Sequence, residues 1–312
     1  MKQITFGQLD DQVRRKKQTM LDDVNKVIDF KRIEKLLLKA YKGGGRPPIP
    51  PVMLFKALLL ESWYGLSDVE VVQEIHDRRS FERFVGPDVR DYHLDDTTLV
   101  KFRQRLRDNG VMDRVWMEVD NALGKRGVIV KKGVIIDSTM VESACRPESK
   151  RDNGDPVDPD AGYVNRNGQA KAGYKTHIST DDETGVIRRM ELVPIQEHDQ
   201  NRFEELIPDE TERVYADKGY SSEWHDWYLL ERGIDNRVLY KAARNRPLKA
   251  WQIALNRKWS KVRCRVEGKI ADLKRWCSMG RLRYYGMERN RVWMLICGLA
   301  CNFKRAVTLT AA

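Results

Sequence analysis

Two short apolar runs, each closing on an aspartate, constrain this 312-residue chain more than any other feature. The first, GVIIDST, spans Gly133 to Thr139 and closes at Asp137. The second, RVYADKGY, spans Arg213 to Tyr220 and closes at Asp217. Apolar runs of this length read as buried strands. A strand places its C-terminal residue at the rim of a sheet, where ligands bind in open α/β folds. A lone glutamate, Glu267, follows in the basic, helix-like stretch KVRCRVEGKIADLKRW (Lys261 to Trp276). Two strand-end carboxylates and one helical carboxylate form an oxygen cage suited to Mg²⁺. Without a cation such a cluster repels itself and raises at least one carboxyl pKa. Either aspartate alone is equally well a strand-end turn residue; the joint placement of all three points to a metal site.

Charge narrows the substrate. From Lys241 onward, 18 Lys and Arg stand against three acids, Glu267, Asp272 and Glu288. The whole chain carries +11, so the preceding 240 residues carry −4 and the basic character belongs to the last quarter. A one-sided distribution of this kind marks a nucleic-acid binder more often than a merely solvated face. None of the five cysteines lies in a C-x₂-C pair, which argues against structural zinc. Their odd number, without a signal peptide, fits a reducing cytoplasm. The longest apolar stretch, Val292 to Ala300, is short for a bilayer and flanked by arginines, so no membrane role is expected.

Periodicity divides the chain near residue 126. Residues 1–126 read as all-helical, broken by GGGRPPIPP (Gly43 to Pro51). Pro50 and Pro51 can open the helix VMLFKALLLESWY, which Gly65 stops. Ser67 or Asp68 can cap the next, and Thr97 the helix of DDTTLVKFRQRL. The pattern then turns strand-like through residues 127–312. Ser143 to Ala172 reads as a long polar loop, YKTHIST and GVIRRMELVP as hairpin strands, and NRVLY as a last strand. Asp199 can cap a short helix through Leu206, and helices close the chain around Glu267 and from about Glu288 to Arg305. The order β-β-β-α-β-α-β-α-α predicts an α/β domain. It has a ribonuclease-H-like mixed five-stranded sheet flanked by helices, behind an all-helical amino-terminal domain. In that arrangement the first and fourth strands are neighbours, which brings Asp137 beside Asp217 with Glu267 reaching in from a helix. Phosphodiester cleavage and transfer need charge stabilised on both attacking and leaving oxygens, which two metal ions about 3.5–4 Å apart provide.

Arg263, Glu267, Ile270 and Lys274 share one helix face. Arg263, Lys274, Arg275, Arg281 and Arg283, together with Lys218 next to Asp217, are candidate phosphate contacts. Trp276, Tyr284 and Tyr285 serve equally as stacking platforms or as core. His177 in GYKTHIS reads first as a satisfied sheet residue and second as a group behind the metal site.

With these residues in place, the chain resembles the DDE transposases of bacterial insertion sequences, nearest the insertion sequence five family. The resemblance spans about Gly45 to Arg305. It is carried by GRPPIPP, DDTTLVKFRQRL, IIDST, DPDAGY, GYKTHIS, ADKGY and an R-x₃-E-x₆-K pattern present as Arg263, Glu267 and Lys274. The family pattern often begins with a tyrosine three residues before the arginine; Ser260 stands there instead, so no role transfers for it. The resemblance implies an enzyme that cleaves its element's ends and joins the 3′-OH to target DNA. Asp137, Asp217 and Glu267 would hold Mg²⁺ or Mn²⁺, two ions in all. It also implies DNA partners, namely terminal inverted repeats and target, and a homodimer or higher oligomer in the bacterial cytoplasm near the nucleoid. The amino-terminal helices would either read the terminal repeats or form a dimerisation bundle. The rival readings are a ribonuclease-H-like nuclease that cuts without joining, a domesticated DNA-binding protein, and more distantly a two-carboxylate glycosidase.

Overall fold

A computed structural model of the chain describes residues 18–41, 49–146, 150–151, 154–166 and 169–311. The Gly43–Pro48 part of the expected break and the first 17 residues lie outside the described residues. The amino-terminal region is helical: α1 (Met20–Val27), α2 (Phe30–Leu37), α3 (Pro51–Tyr64), α4 (Asp68–Asp77), α5 (Arg79–Val85), α6 (Asp96–Asp108) and α7 (Val111–Lys125). Pro51 opens α3, and Gly65, left-handed at φ 68°, ends it. Ser67 caps α4, and Glu70 returns a bond to the Ser67 N–H at 2.7 Å, which completes a capping box. The start of α6 differs from expectation. Asp95, not Thr97, accepts the Thr98 N–H at 2.6 Å, and the Thr97 hydroxyl also donates to Asp95. A carboxylate is the stronger acceptor at a helix start, so it displaces the threonine.

The second half contains β1 (Gly133–Glu142), β2 (Gly162–Arg166), β3 (Gln169–Asp181), β4 (Ile187–Pro194), β5 (Arg213–Ala216), α8 (Glu223–Glu231), β6 (Asp235–Val238), α9 (Ala250–Trp276) and α10 (Met287–Ala311). β1 pairs antiparallel with β3 and parallel with β5; β5 pairs parallel with β6, and β3 antiparallel with β4. These five strands are the expected mixed frame, the ribonuclease-H-like arrangement. The sheet has one strand more, because β2 pairs with the first part of β3 inside the segment expected to be loop. Its arms, GYVNR and QAKAG, mix glycine, alanine and polar residues with a single aliphatic branched side chain, Val164, so apolar alternation does not reveal it. The expected helix at Asp199 is two 3₁₀ turns, Asp199–Arg202 and Glu204–Leu206, and the capping position belongs to His198.

Alternation along the strands decides which side chains meet. Val134 and Ile136 of β1 face a small core with Val214, Ala216, Phe203 and Tyr220. Ile135, Ile178 and Tyr215 face the main core with the helices. In that core α10 packs against α1, α3, α6, α7 and β4, so the last helix is shared by the helical region and the sheet. Asn302 exchanges two 2.8 Å bonds with the Ile187 backbone, and the Trp63 indole donates to the Ala300 carbonyl at 3.0 Å. By length and apolarity alone α10 passes for a membrane span, longer than the apolar stretch read from sequence; its most apolar stretch is 72% buried, as the central helix of this core. A side chain at Gly298 would begin 2.8 Å from the Trp116 ring, which is itself fixed by its bond to the Arg188 carbonyl. Gly298→Val therefore gains about 0.5 kcal/mol of helix propensity but overpacks the seam. We expect a net loss of about 1–3 kcal/mol, measured by denaturant titration.

Glu61 of α3 is fully buried between Arg103 of α6 and Arg283, at 3.3 and 3.4 Å. Burial, which outweighs the two arginines, pushes its carboxyl up to about 8. The neutral acid is favoured in the folded state. Its stabilising share is complete below the ordinary 4.5 and is lost as pH rises toward 8. Relative to Glu61→Gln, the native chain should lose up to about 1.4 kcal/mol per pH unit across that window, read from paired unfolding titrations between pH 5 and 8.

Candidate active site

The β1–β5 register sets the site. Ile136 pairs with Ala216 in parallel, so Asp137 and Asp217 are the next residues of neighbouring chains that lie about 4.8 Å apart. Asp217 follows the end of β5, but Asp137 does not close its strand as expected, because β1 continues to Glu142 through its longer pairing with β3. Both follow the parity of Ile135 and Tyr215 and so project to the face covered by α9. That helix presents Glu267, with Arg263 one turn earlier. The Arg263 guanidinium bridges two of the acids: Nη1 donates to Asp137 Oδ2 at 3.0 Å and Nη2 to Glu267 Oε1 at 2.8 Å.

The three carboxylates differ in what holds them. Asp137 is mostly buried and also accepts the Ser138 N–H at 2.8 Å. Burial raises its pKa; the Ser138 bond and Arg263 oppose this, and the charges of Asp217 and Glu267 add to it. Glu267 is more than half exposed. No donor among the described residues reaches the Asp217 carboxylate, which is half-buried at the start of the 3₁₀ turn Lys218–Tyr220. Among the described residues no three acidic, His or Cys groups form a closed metal cage. The guanidinium lies between Asp137 and Glu267 instead, with its Nε buried and without an acceptor.

The candidate DNA contacts divide. Lys274 donates to the Met140 carbonyl at 2.8 Å, and Arg281 to the carbonyls of Ser143 and Ala144 at 3.1 and 2.8 Å. Arg283 binds Glu61 and the Leu66 carbonyl. Lys218 and Arg275 are exposed and have no partner among the described residues. Trp276 and Tyr285 are exposed, whereas Tyr284 is half-buried beneath the Arg103 guanidinium. His177 is fully buried on the other side of β1, with Nδ1 2.9 Å from the Tyr220 hydroxyl. Ser138, Lys175, Asp199 and Tyr220 gather there too, a group that sequence reasoning missed. Its one available signal was the i, i+2 spacing of Lys175 and His177, which places both on one strand face.

Comparison with known families gives two matches. Residues 8–105 match a family described as a transposase domain, and residues 130–303 match the transposase DDE domain. The chain belongs to the transposase DDE domain family. It is a DNA transposase, in agreement with the resemblance drawn from its motifs. Among solved structures, the transposase is similar to a piggyBac transposase synaptic complex with hairpin DNA, at 11% identity and a TM-score of 0.43, covering 93% of this chain and 73% of that one. It is also similar to a pre-cleavage Mos1 transpososome, at 11% identity and a TM-score of 0.21, covering 94% and 98%.

Transposases of this family depend on divalent metal. The donor set fits such an ion: three carboxylates and no softer ligand, with two of them already converging on one positive group. Arg263 already occupies oxygens of Asp137 and Glu267, so it would compete with an ion bound between them. Arg263→Ala should tighten Mn²⁺ binding to the DNA-free transposase by about fivefold, the equivalent of one partly buried ion pair of about 1 kcal/mol, read by calorimetric titration.

Proposed function

We propose that this transposase cleaves the ends of its insertion sequence and joins the freed 3′-OH to target DNA, with Asp137, Asp217 and Glu267 as the ligands of two Mg²⁺ or Mn²⁺ ions. One observation carries the reading: two aspartates at equivalent positions of adjacent parallel strands, with a glutamate above them sharing an arginine with the first. When bound, the metal supplies charge neutralisation at the scissile phosphate and a lowered barrier to deprotonating the attacking hydroxyl. The protein supplies the rest. Asp137, held by Ser138, fixes the metal side of the phosphate. Glu267 closes the site from α9, and the rim residues orient the strand for in-line attack.

Lys218 and Arg275, with free donors, serve as the first phosphate contacts. Arg263 exchanges its carboxylate partners for a phosphate once metal binds. Lys274, Arg281 and Arg283 engage DNA by similar exchange. We further assign residues 1–126 to a helical domain for DNA reading or dimerisation, and residues 127–312 to the catalytic domain with its basic terminal helices. The transposase acts as a homodimer or larger oligomer that holds two element ends in the cytoplasm. Its place nearest the insertion sequence five group rests on the sequence motifs.

The test incubates the protein with labelled terminal-repeat DNA, a target plasmid and Mg²⁺ or Mn²⁺. Joined products are expected; cleavage alone would make the protein a nuclease, and retardation alone a binding protein. Asp137→Asn should retain DNA binding while strand cleavage falls by more than the about 10–100-fold typical of residues behind the ligands. Full activity in that variant removes the assignment.

A further inference from the structure

Of the three acids, Asp217 alone has no hydrogen-bond donor on its carboxylate among the described residues. Its position is therefore set by its backbone, and that backbone belongs to a turn anchored elsewhere. The Tyr220 N–H donates to the Asp217 carbonyl at 2.9 Å and closes the turn. Tyr220 is 1% exposed and gripped at both ends. Its carbonyl lies 2.7 Å from His225 Nδ1 on α8, and its hydroxyl 2.9 Å from His177 Nδ1 on β3. Its ring packs against Phe203, which stacks on His225.

The polar contacts behind β1 have a direction. His177 pairs across the sheet with Ser138, the residue after Asp137. The Ser138 hydroxyl donates to Asp199 Oδ1 at 3.3 Å, and Lys175 holds the same oxygen at 2.8 Å while also donating to the Glu197 carbonyl. His177 Nε2 is buried and has no partner among the described residues. Burial lowers the His177 pKa to about 4, so the ring is neutral at pH 7 and carries one proton. A proton on Nε2 would leave a buried donor unsatisfied, which is costly. The proton on Nδ1 avoids this and donates to the Tyr220 oxygen. The Tyr220 hydroxyl so held ties the turn after Asp217 to β3, and β3 pairs with β1 at that level, His177 with Ser138 and Ile178 with Asp137.

We propose that Tyr220 is a positioning residue of the divalent-cation site, and that its bond to His177 holds the Asp217 turn in register with Asp137. The inference rests on the reading of Asp137, Asp217 and Glu267 as metal ligands. Tyr220 touches neither metal nor DNA; it acts through the turn. Removing its hydroxyl leaves the ring packing in place but lets the Asp217 backbone move by a fraction of an ångström, which a metal ligand cannot tolerate.

The experiment measures Mn²⁺ binding to the full-length, DNA-free protein by calorimetry, together with Tm with and without Mn²⁺. Four proteins are compared: native, Asp137→Asn, Tyr220→Phe and Tyr174→Phe. Tyr174 is a useful control because its buried hydroxyl donates to Asp158 at 2.7 Å, away from His177 and Tyr220. Tyr220→Phe is expected to weaken Mn²⁺ binding about tenfold, the size of effect seen when a group behind a ligand is removed. Tyr174→Phe should lower Tm comparably and leave Mn²⁺ binding unchanged. Native Mn²⁺ affinity in Tyr220→Phe, or equal weakening in both tyrosine variants, overturns the proposal. Native affinity in Asp137→Asn instead defeats the metal-site reading, and the proposal falls with it. Should Tyr220→Phe fail to fold, His177→Leu removes the ring nitrogen that holds the Tyr220 hydroxyl; about threefold weaker Mn²⁺ binding is expected, and no change overturns the proposal.

Discussion

Parallel pairing between β1 and β5 is the constraint on which the rest of the molecule depends. Once Ile136 lies beside Ala216, the following residue of each strand emerges on the same face, about one strand spacing apart. Two carboxylates are thereby forced together. Parallel neighbours need a crossover connection, and here the intervening chain includes the β3–β4 hairpin and the turns carrying Asp199 and Phe203. The segment that makes the pairing possible thus also supplies the polar group behind β1. The acidic corner and the device that steadies it have a common topological origin.

Burial raises the pKa of Asp137, and the like charges of Asp217 and Glu267 add a smaller electrostatic cost in the same direction. Arg263 offsets part of that cost with two charge-assisted bonds of 2.8–3.0 Å. Arginine suits the position because its planar fork can serve two acceptors at once. The same geometry makes its hold conditional, since a divalent ion offers these oxygens a greater charge at shorter range. The family pattern's arginine and glutamate, four residues apart, are therefore two halves of one electrostatic arrangement.

How much of this was legible in sequence depended on how local the signal was. Pro51 and Gly65 announce the bounds of α3, and Ser67 with Glu70 announces the start of α4. The strand end before Asp217 was readable because an apolar run stops abruptly on a charge; the same signal misplaced Asp137, because β1 runs on through polar residues to Glu142. The order of elements sufficed for the five-strand frame. What escaped was non-local or ambiguous. Four consecutive capping residues, Asp95 to Thr98, gave no means of choosing among them until the helix axis was known. β2 has no apolar face of its own. The grouping of Ser138, His177, Lys175, Asp199 and Tyr220 depends on strand register, which sequence leaves open. The basic residues were legible as charge but not as contacts, because Lys274, Arg281 and Arg283 spend their donors on backbone carbonyls and Glu61.

The shared position of α10 has a consequence for the order in which the molecule comes into being. Helices α1, α3, α6 and α7 bury their apolar faces against residues 287–311. As the polypeptide emerges from the ribosome, those faces remain open to water or to chaperones until some 160 further residues have been made. The amino-terminal helices thus reach their final packing only after Asp137, Asp217 and Glu267 have been synthesised. A chain cut short by premature termination has neither a finished helical body nor a finished catalytic half, and quality control removes it as one unfolded species rather than leaving half an enzyme.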